Sequence, residues 1–184
     1  KREFTLVTQG QVVEFQGEIQ TWHEGYMLKG PGTGGVNLDD GLEMMERYSL
    51  EMVKFDKTRE ELGDAQKLFG MDMVAYPELA AVKASLHELK VIYDLYAEQK
   101  DKREEWGATL WAELDLSVLE KGMEEFDTRL KKLPKNIKAL KPYKAAEESI
   151  TGFVQSLPLI QNLKNDALRP RHWQRLVRAR VRVR

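Results

Sequence analysis

The sequence has no cysteine, and only six prolines and 13 glycines among 184 residues. Without thiols there is no disulfide framework and no thiolate metal site, a composition that suits a reducing compartment. So few turn-forming residues argue against a β sandwich, whose short strands need a turn roughly every 8–12 residues. No run approaches the roughly 18 apolar residues of a membrane span, and the opening Lys1-Arg-Glu-Phe-Thr-Leu lacks the apolar heart of a signal peptide. There is no initiator methionine either. The chain is therefore expected to be a piece of a longer protein, and its lack of a targeting signal says little about the parent.

Excess charge of one sign also looks absent, because 29 Lys and Arg nearly balance 30 Asp and Glu to give −1. That balance is a cancellation. Arg169 to Arg184 holds seven Arg and no acid, which leaves 22 bases against 30 acids in residues 1–168, a body of −8 facing a tail of +7. Within the tail, Val177 to Arg184 alternates Arg with small apolar residues, so a strand would put all its charge on one face for phosphate or an acidic surface.

What is present in quantity is helical periodicity. Val12, Phe15, Ile19, Trp22 and Tyr26 step by three and four along one face. Lys29-Gly-Pro-Gly-Thr-Gly-Gly35 must stop that helix. Asn37 offers an N-cap with Asp39 and Asp40 in the first turn, and Met45, Tyr48, Met52, Phe55, Leu62 and Phe69 continue on one stripe, with Arg59 and Gln66 interrupting it. The stripe of Met45, Met52, Phe55 and Leu62 is expected to need a partner, so the isolated chain is predicted to self-associate. Pro77 opens a third helix carrying Leu79, Val82, Leu86, Leu89, Tyr93 and Tyr96, predicted to end near Trp106. A bend follows over Gly107 to Leu114, and Asp115 or Ser117 starts a helix with Leu119, Met123, Phe126, Leu130 and Leu133 on one face, ended by Pro134. A further helix is predicted to carry Ile137, Leu140, Ile150 and Phe153 towards Leu157, where Ser156-Leu-Pro158 reads as a cap opening a short turn. Arg169-Pro170 breaks the chain before a last amphipathic piece. The fold class is all-α, an elongated array of antiparallel helices in bundle-like segments.

Reactive chemistry finds little support. Gly30, Gly32 and Gly35 match the spacing of the dinucleotide fingerprint, but a helix and not a strand feeds the loop, and no Lys-Ser or Lys-Thr follows it. It reads as a flexible interhelical loop. His23, His87 and His172 stand alone, so no metal site is predicted. Glu60-Glu61, Glu104-Glu105, Glu124-Glu125 and Glu147-Glu148 are sequence neighbours pointing about 100° apart, a solvated face and not an acid–base pair. Trp22, Trp106, Trp111 and Trp173 are expected to lock helix junctions, since no basic residues interleave with them. Catalytic, cofactor and metal residues are expected to be none.

A series of phrases then resembles a known family. In order they are Glu61-Leu-Gly-Asp-Ala-Gln-Lys-Leu-Phe69, Tyr76-Pro-Glu-Leu79, Ile92-Tyr-Asp-Leu-Tyr96, Trp106 and Trp111 ahead of Leu114-Asp-Leu116, Leu133-Pro134, Leu157-Pro-Leu159 and Leu163-Lys-Asn-Asp-Ala-Leu-Arg-Pro-Arg-His-Trp173. Their order over about 110 residues resembles the start of the linker region of dynein heavy chains, with the Gly30-Pro-Gly32 loop and Asn37-Leu-Asp-Asp-Gly-Leu42 more similar to axonemal members. The resemblance implies residues 1–61 as the end of the stem, 62–176 as the N-terminal part of the linker, and 177–184 as a tail departing from the family pattern, read as a variant or artefactual terminus. It implies a non-catalytic stem-to-linker segment of an axonemal heavy chain, in the cytoskeleton of a cilium or flagellum. The implied partners are the AAA+ ring of the same heavy chain, intermediate and light chains or neighbouring heavy chains, and microtubules through the full motor; the hydropathy argues against a membrane and the lack of interleaved basic and aromatic residues against nucleic acid. Gly30 to Gly35 and the Trp106 to Trp111 elbow are where direction would change. Three alternatives stay open: a stand-alone helical scaffold of spectrin type, a cytoplasmic heavy chain stem segment, and a nucleic-acid binder acting through the Arg tail.

Overall fold

A computed structural model describes residues 2–164, and among these every regular element is a helix: α1 (Arg2–Lys29), α2 (Leu38–Phe69), α3 (Pro77–Ala108), α4 (Leu116–Lys131), α5 (Lys135–Lys138) and α6 (Lys141–Leu163). The ends follow local chemistry. Asn37 caps α2 by accepting the Asp40 amide through its side chain at 2.8 Å. Gly70 ends α2 in the left-handed conformation at φ 67°, its amide and that of Met71 returning to carbonyls of the last turn. Pro77 lies in the first turn of α3, and Asp115 caps α4 through the Ser117 amide at 2.9 Å.

The long helices alternate in direction and share α3. On one side α1, α2 and α3 form a three-helix unit, and on the other α4 and α6 pack against each other and against the far half of α3. Ion pairs record the antiparallel registers: Asp56 on α2 meets Lys83 on α3 at 2.5 Å, Asp39 meets Lys100 at 2.8 Å, and Arg129 on α4 grips Glu98 on α3 with bonds of 2.8 and 2.7 Å. At 1.5 Å per residue the 32 residues of α3 span about 48 Å, enough to serve both units along one uninterrupted rod. One continuous core runs from Val12 and Phe15 through Leu89 and Ile92 to Met123, Phe126 and Ile150. A satellite cluster of Leu114, Leu119 and Leu157 closes the α4 and α6 end.

Several expectations need correction. Helix α1 starts at Arg2, well before Val12, because buried Thr8 extends the seam by one more step of four and a scan for apolar residues passes over it. Helix α3 runs on through Trp106 and Gly107 to Ala108. Ile137 belongs to the short α5 and Leu140 precedes α6, so they do not share a helix with Ile150; Pro142 starts the new helix. Pro158 opens no turn and lies inside α6. Burial of Leu157 in the satellite cluster holds the helix across the proline, and Ser156 Oγ donates to the Phe153 carbonyl at 2.6 Å. The predicted docking stripe is interior: Met45, Met52 and Leu62 are buried and Phe55 packs on the same core, so α1 and α3 already cover it. The last amphipathic piece, the Arg tail, His172 and Trp173 lie outside the described residues.

Candidate functional site

The residues singled out by sequence converge on joints between helices. The glycine loop is the first. Gly30 donates to the Tyr26 carbonyl at 2.7 Å and the Thr33 amide returns to Gly30 at 3.1 Å, a tight reversal between α1 and α2. Pro31 is among the most buried residues, and its carbonyl accepts the Tyr93 hydroxyl at 2.7 Å. Burial pushes the Tyr93 hydroxyl up to about 12, so it stays a donor through the physiological range. A methyl added at Gly41 would overlap the Tyr93 hydroxyl, and one at Gly32 would come within 3.3 Å of Leu89. Gly34 lies beside the Lys141 side chain at the start of α6. The loop expected to be flexible is thus a wedge between α3 and α6, held at its centre by a buried hydrogen bond.

The second joint is aromatic. Trp22 packs 4.9 Å from Phe55 and 5.9 Å from Tyr48, Tyr26 meets Tyr48 edge-on at 5.0 Å, and Phe15 meets Tyr76 edge-on at 5.1 Å. Trp22 Nε1 donates to Glu51 at 2.7 Å and the Tyr26 and Ser85 hydroxyls share a bond of 2.7 Å, whereas the buried Tyr76 hydroxyl has no partner among the described residues. The third joint is the elbow. Trp106 stacks on Phe153 with centroids 6.2 Å apart and leans on Gly122, where an added methyl would sit 2.8 Å from the indole. Trp22 and Trp106 therefore lock junctions as expected. Trp111 is 45% exposed and does not serve as a core lock.

Ion pairs between neighbouring helices shift three carboxyls at the bundle surface. A hydrogen bond from Lys83 holds the Asp56 carboxyl below its ordinary value, one from Lys100 does so for Asp39, and one from Arg129 does so for Glu98. Two groups were missed by sequence reading. Gln66, taken as a seam interruption, is buried and donates to the Asp72 carbonyl at 2.7 Å, fastening the α2–α3 connector. Its signal was a long amide side chain on the apolar stripe one turn before a helix-ending glycine. Gln99 is 1% exposed and neither side-chain atom has a partner among the described residues.

His23 on α1 is half-buried and His87 on α3 exposed, and no group of three or more His, Asp or Glu that could hold a metal occurs among the described residues. Glu60, Glu61, Glu104, Glu105, Glu124, Glu125 and Glu148 are exposed, with only Glu147 half-buried. No described helix is long and apolar enough to cross a membrane. What this arrangement does is hold three joints along one rod.

The family profile described as "Dynein heavy chain, N-terminal region 2" matches residues 79–181. The chain belongs to the dynein heavy chain family. The match lies in the N-terminal region of these heavy chains and not in their ATPase domains. Among curated relatives, "Dynein axonemal heavy chain 10" of Homo sapiens is 38% identical over 177 residues, 96% of this chain and 4% of the relative. "Dynein-1-alpha heavy chain, flagellar inner arm I1 complex" of Chlamydomonas reinhardtii is 39% identical over 177 residues with the same shares, and "Dynein axonemal heavy chain 5" of Rattus norvegicus is 25% identical over 162 residues. The chain spans 4–5% of the length of these dynein heavy chains. The three joints therefore lie in a stretch that aligns with a small part of these much longer heavy chains.

Proposed function

We propose that this chain is a non-catalytic, force-bearing segment of an axonemal dynein heavy chain, passing from the end of the stem over residues 1–61 into the linker from residue 62. The observation that carries the reading is the coincidence of 38–39% identity over 96% of the chain with long packed helices joined along one continuous core. The passage from stem to linker falls within α2, which runs unbroken from Leu38 to Phe69, so the two share one helix. A helix resists bending, and α3 carries packing contacts for both three-helix units, so displacement at one end is delivered to the other. The place of action is the axoneme of a cilium or flagellum. The partners are the AAA+ ring of the same heavy chain and, in the assembled complex, intermediate and light chains or neighbouring heavy chains, with microtubules reached only through the whole motor.

Inserting four glycines between Leu89 and Lys90 in the full heavy chain tests this. Retained basal ATPase with lost microtubule gliding is expected. Unchanged gliding velocity would refute the force-bearing role, and mutation-sensitive ATP turnover by the isolated 184-residue chain would refute its non-catalytic nature. No specific observation favours the stand-alone scaffold or the cytoplasmic heavy chain.

A further inference from the structure

Helix α1 buries one face against α2 and α3 and leaves the opposite face without a neighbour among the described residues. At 3.6 residues per turn, Leu6, Gly10, Val13, Gly17, Glu24 and Leu28 fall on one strip directed away from the core positions Val12, Phe15, Ile19 and Tyr26. Leu6, Val13 and Leu28 are 69%, 63% and 73% exposed. Single exposed leucines are ordinary, but a strip running the length of a helix opposite its core is the pattern of a second packing face. The glycines agree with this. A glycine inside a helix weakens it relative to alanine, and an added methyl at Gly10 or Gly17 would meet nothing within 4 Å, so nothing inside the chain asks for glycine there. A second helix crossing at these points would approach more closely than at any larger residue.

Charge specifies that second helix. From Glu3 to Leu28, α1 carries four acids and no Lys or Arg. Glu3, Glu14 and Glu18 line one edge of the strip and Gln9, Gln16 and Gln20 the other. Glu14 and Glu18 have no ion pair among the described residues, and with Glu61 they rim a groove of about 400 Å³ floored by Phe15 and Leu62. A strip of Leu6, Val13 and Leu28, crossed by Glu24 and edged on one side by unpaired Glu14 and Glu18, is complementary to an amphipathic helix that sets Lys or Arg beside its apolar seam.

We propose that the outer face of α1 is the docking surface for a basic amphipathic helix from another segment of the same heavy chain. The relatives carry this segment as only 4% of their length, so most of the polypeptide lies elsewhere, and a covalently attached helix meets the face at a higher effective concentration than a separate subunit does. The proposal rests on family membership and not on the force-bearing role, which its failure would leave standing.

Zero-length carbodiimide cross-linking of the intact, purified dynein complex, read by peptide mass spectrometry, tests it. Glu14 and Glu18 are expected to join lysines of one helix elsewhere in the heavy chain. A heavy chain carrying Gly10→Leu and Gly17→Leu, which adds bulk where the isolated chain has open space, is expected to lose those cross-links at least tenfold while the isolated variant keeps its helical circular dichroism. Cross-links from Glu14 and Glu18 only to another polypeptide, or none at all, would overturn the proposal. So would cross-links that persist undiminished in the leucine variant.

Discussion

Replacing Tyr93 by Phe removes one oxygen atom from the centre of the bundle and leaves the ring that packs against Gly41 in place. The lost bond is the 2.7 Å donation to the Pro31 carbonyl, and that carbonyl belongs to a residue under 2% exposed, so water cannot readily replace the donor. Leaving a buried acceptor unpaired costs about 1–3 kcal/mol. For a chain of this length each kcal/mol lowers Tm by about 2–4 °C, so the variant should melt about 2–12 °C lower. The loss should be local first. Hydrogen exchange in the native state should quicken at the Thr33 amide and at the first turn of α6 beside Gly34, and leave the Trp22–Phe55 region unchanged. Alkaline pH gives an independent check with a definite sign. The folded state holds the Tyr93 hydroxyl up at about 12, above its ordinary 10.0, so this contribution is complete below pH 10 and is lost as pH rises from 10 towards 12. The Tm gap between the natural chain and Y93F should therefore narrow above pH 10. A gap under 1 °C at pH 7, with unchanged exchange at Thr33, would refute the idea that this bond pins the loop.

Other perturbations follow from the same joints. Gly41→Ala should destabilise by about 1–3 kcal/mol, because the new methyl overlaps Tyr93, and circular dichroism melts would show it. Gln99→Met should raise Tm, since it exchanges two unpartnered buried polar atoms for a side chain of similar length, and unchanged or lower Tm would imply a partner for Gln99 outside residues 2–164. Pro158→Ala should stabilise by about 1–3 kcal/mol by restoring an amide donor inside α6, as measured in urea. Glu98→Gln should cost less than about 1 kcal/mol at pH 7, because the Arg129 pair is half-exposed, and nothing once pH falls well below the ordinary glutamate value of 4.5, where the natural side chain is also protonated.

Much of the fold was legible because it depends on local signals. The seam from Val12 to Tyr26, the Asn37 cap, Pro77 in the first turn of α3 and the Asp115 cap each follow from spacing or side-chain chemistry within a few residues. What could not be read depends on contacts distant in sequence. The glycine loop looked flexible because its restraint comes from Tyr93, 62 residues later. The Met45 and Met52 stripe looked unpartnered because its cover comes from two other helices. Pro158 looked like a helix start because local rules outweigh a distant apolar cluster when only sequence is read. The joints were legible as aromatic and glycine positions, but that Trp106 is drawn into the core against Phe153 while Trp111 stays 45% exposed depends on contacts distant in sequence.

Rigid coupling of the two three-helix units through α3 is the central claim, and a distance measured inside the working motor tests it most directly. Spin labels placed at exposed Lys54 on α2 and exposed Thr151 on α6 of the full heavy chain, read by pulsed electron resonance with and without nucleotide, report whether the units move relative to each other. Rigid coupling predicts one narrow distance distribution that is the same in both states. A shift as large as one helical turn, about 5.4 Å, or a split into two populations would contradict it.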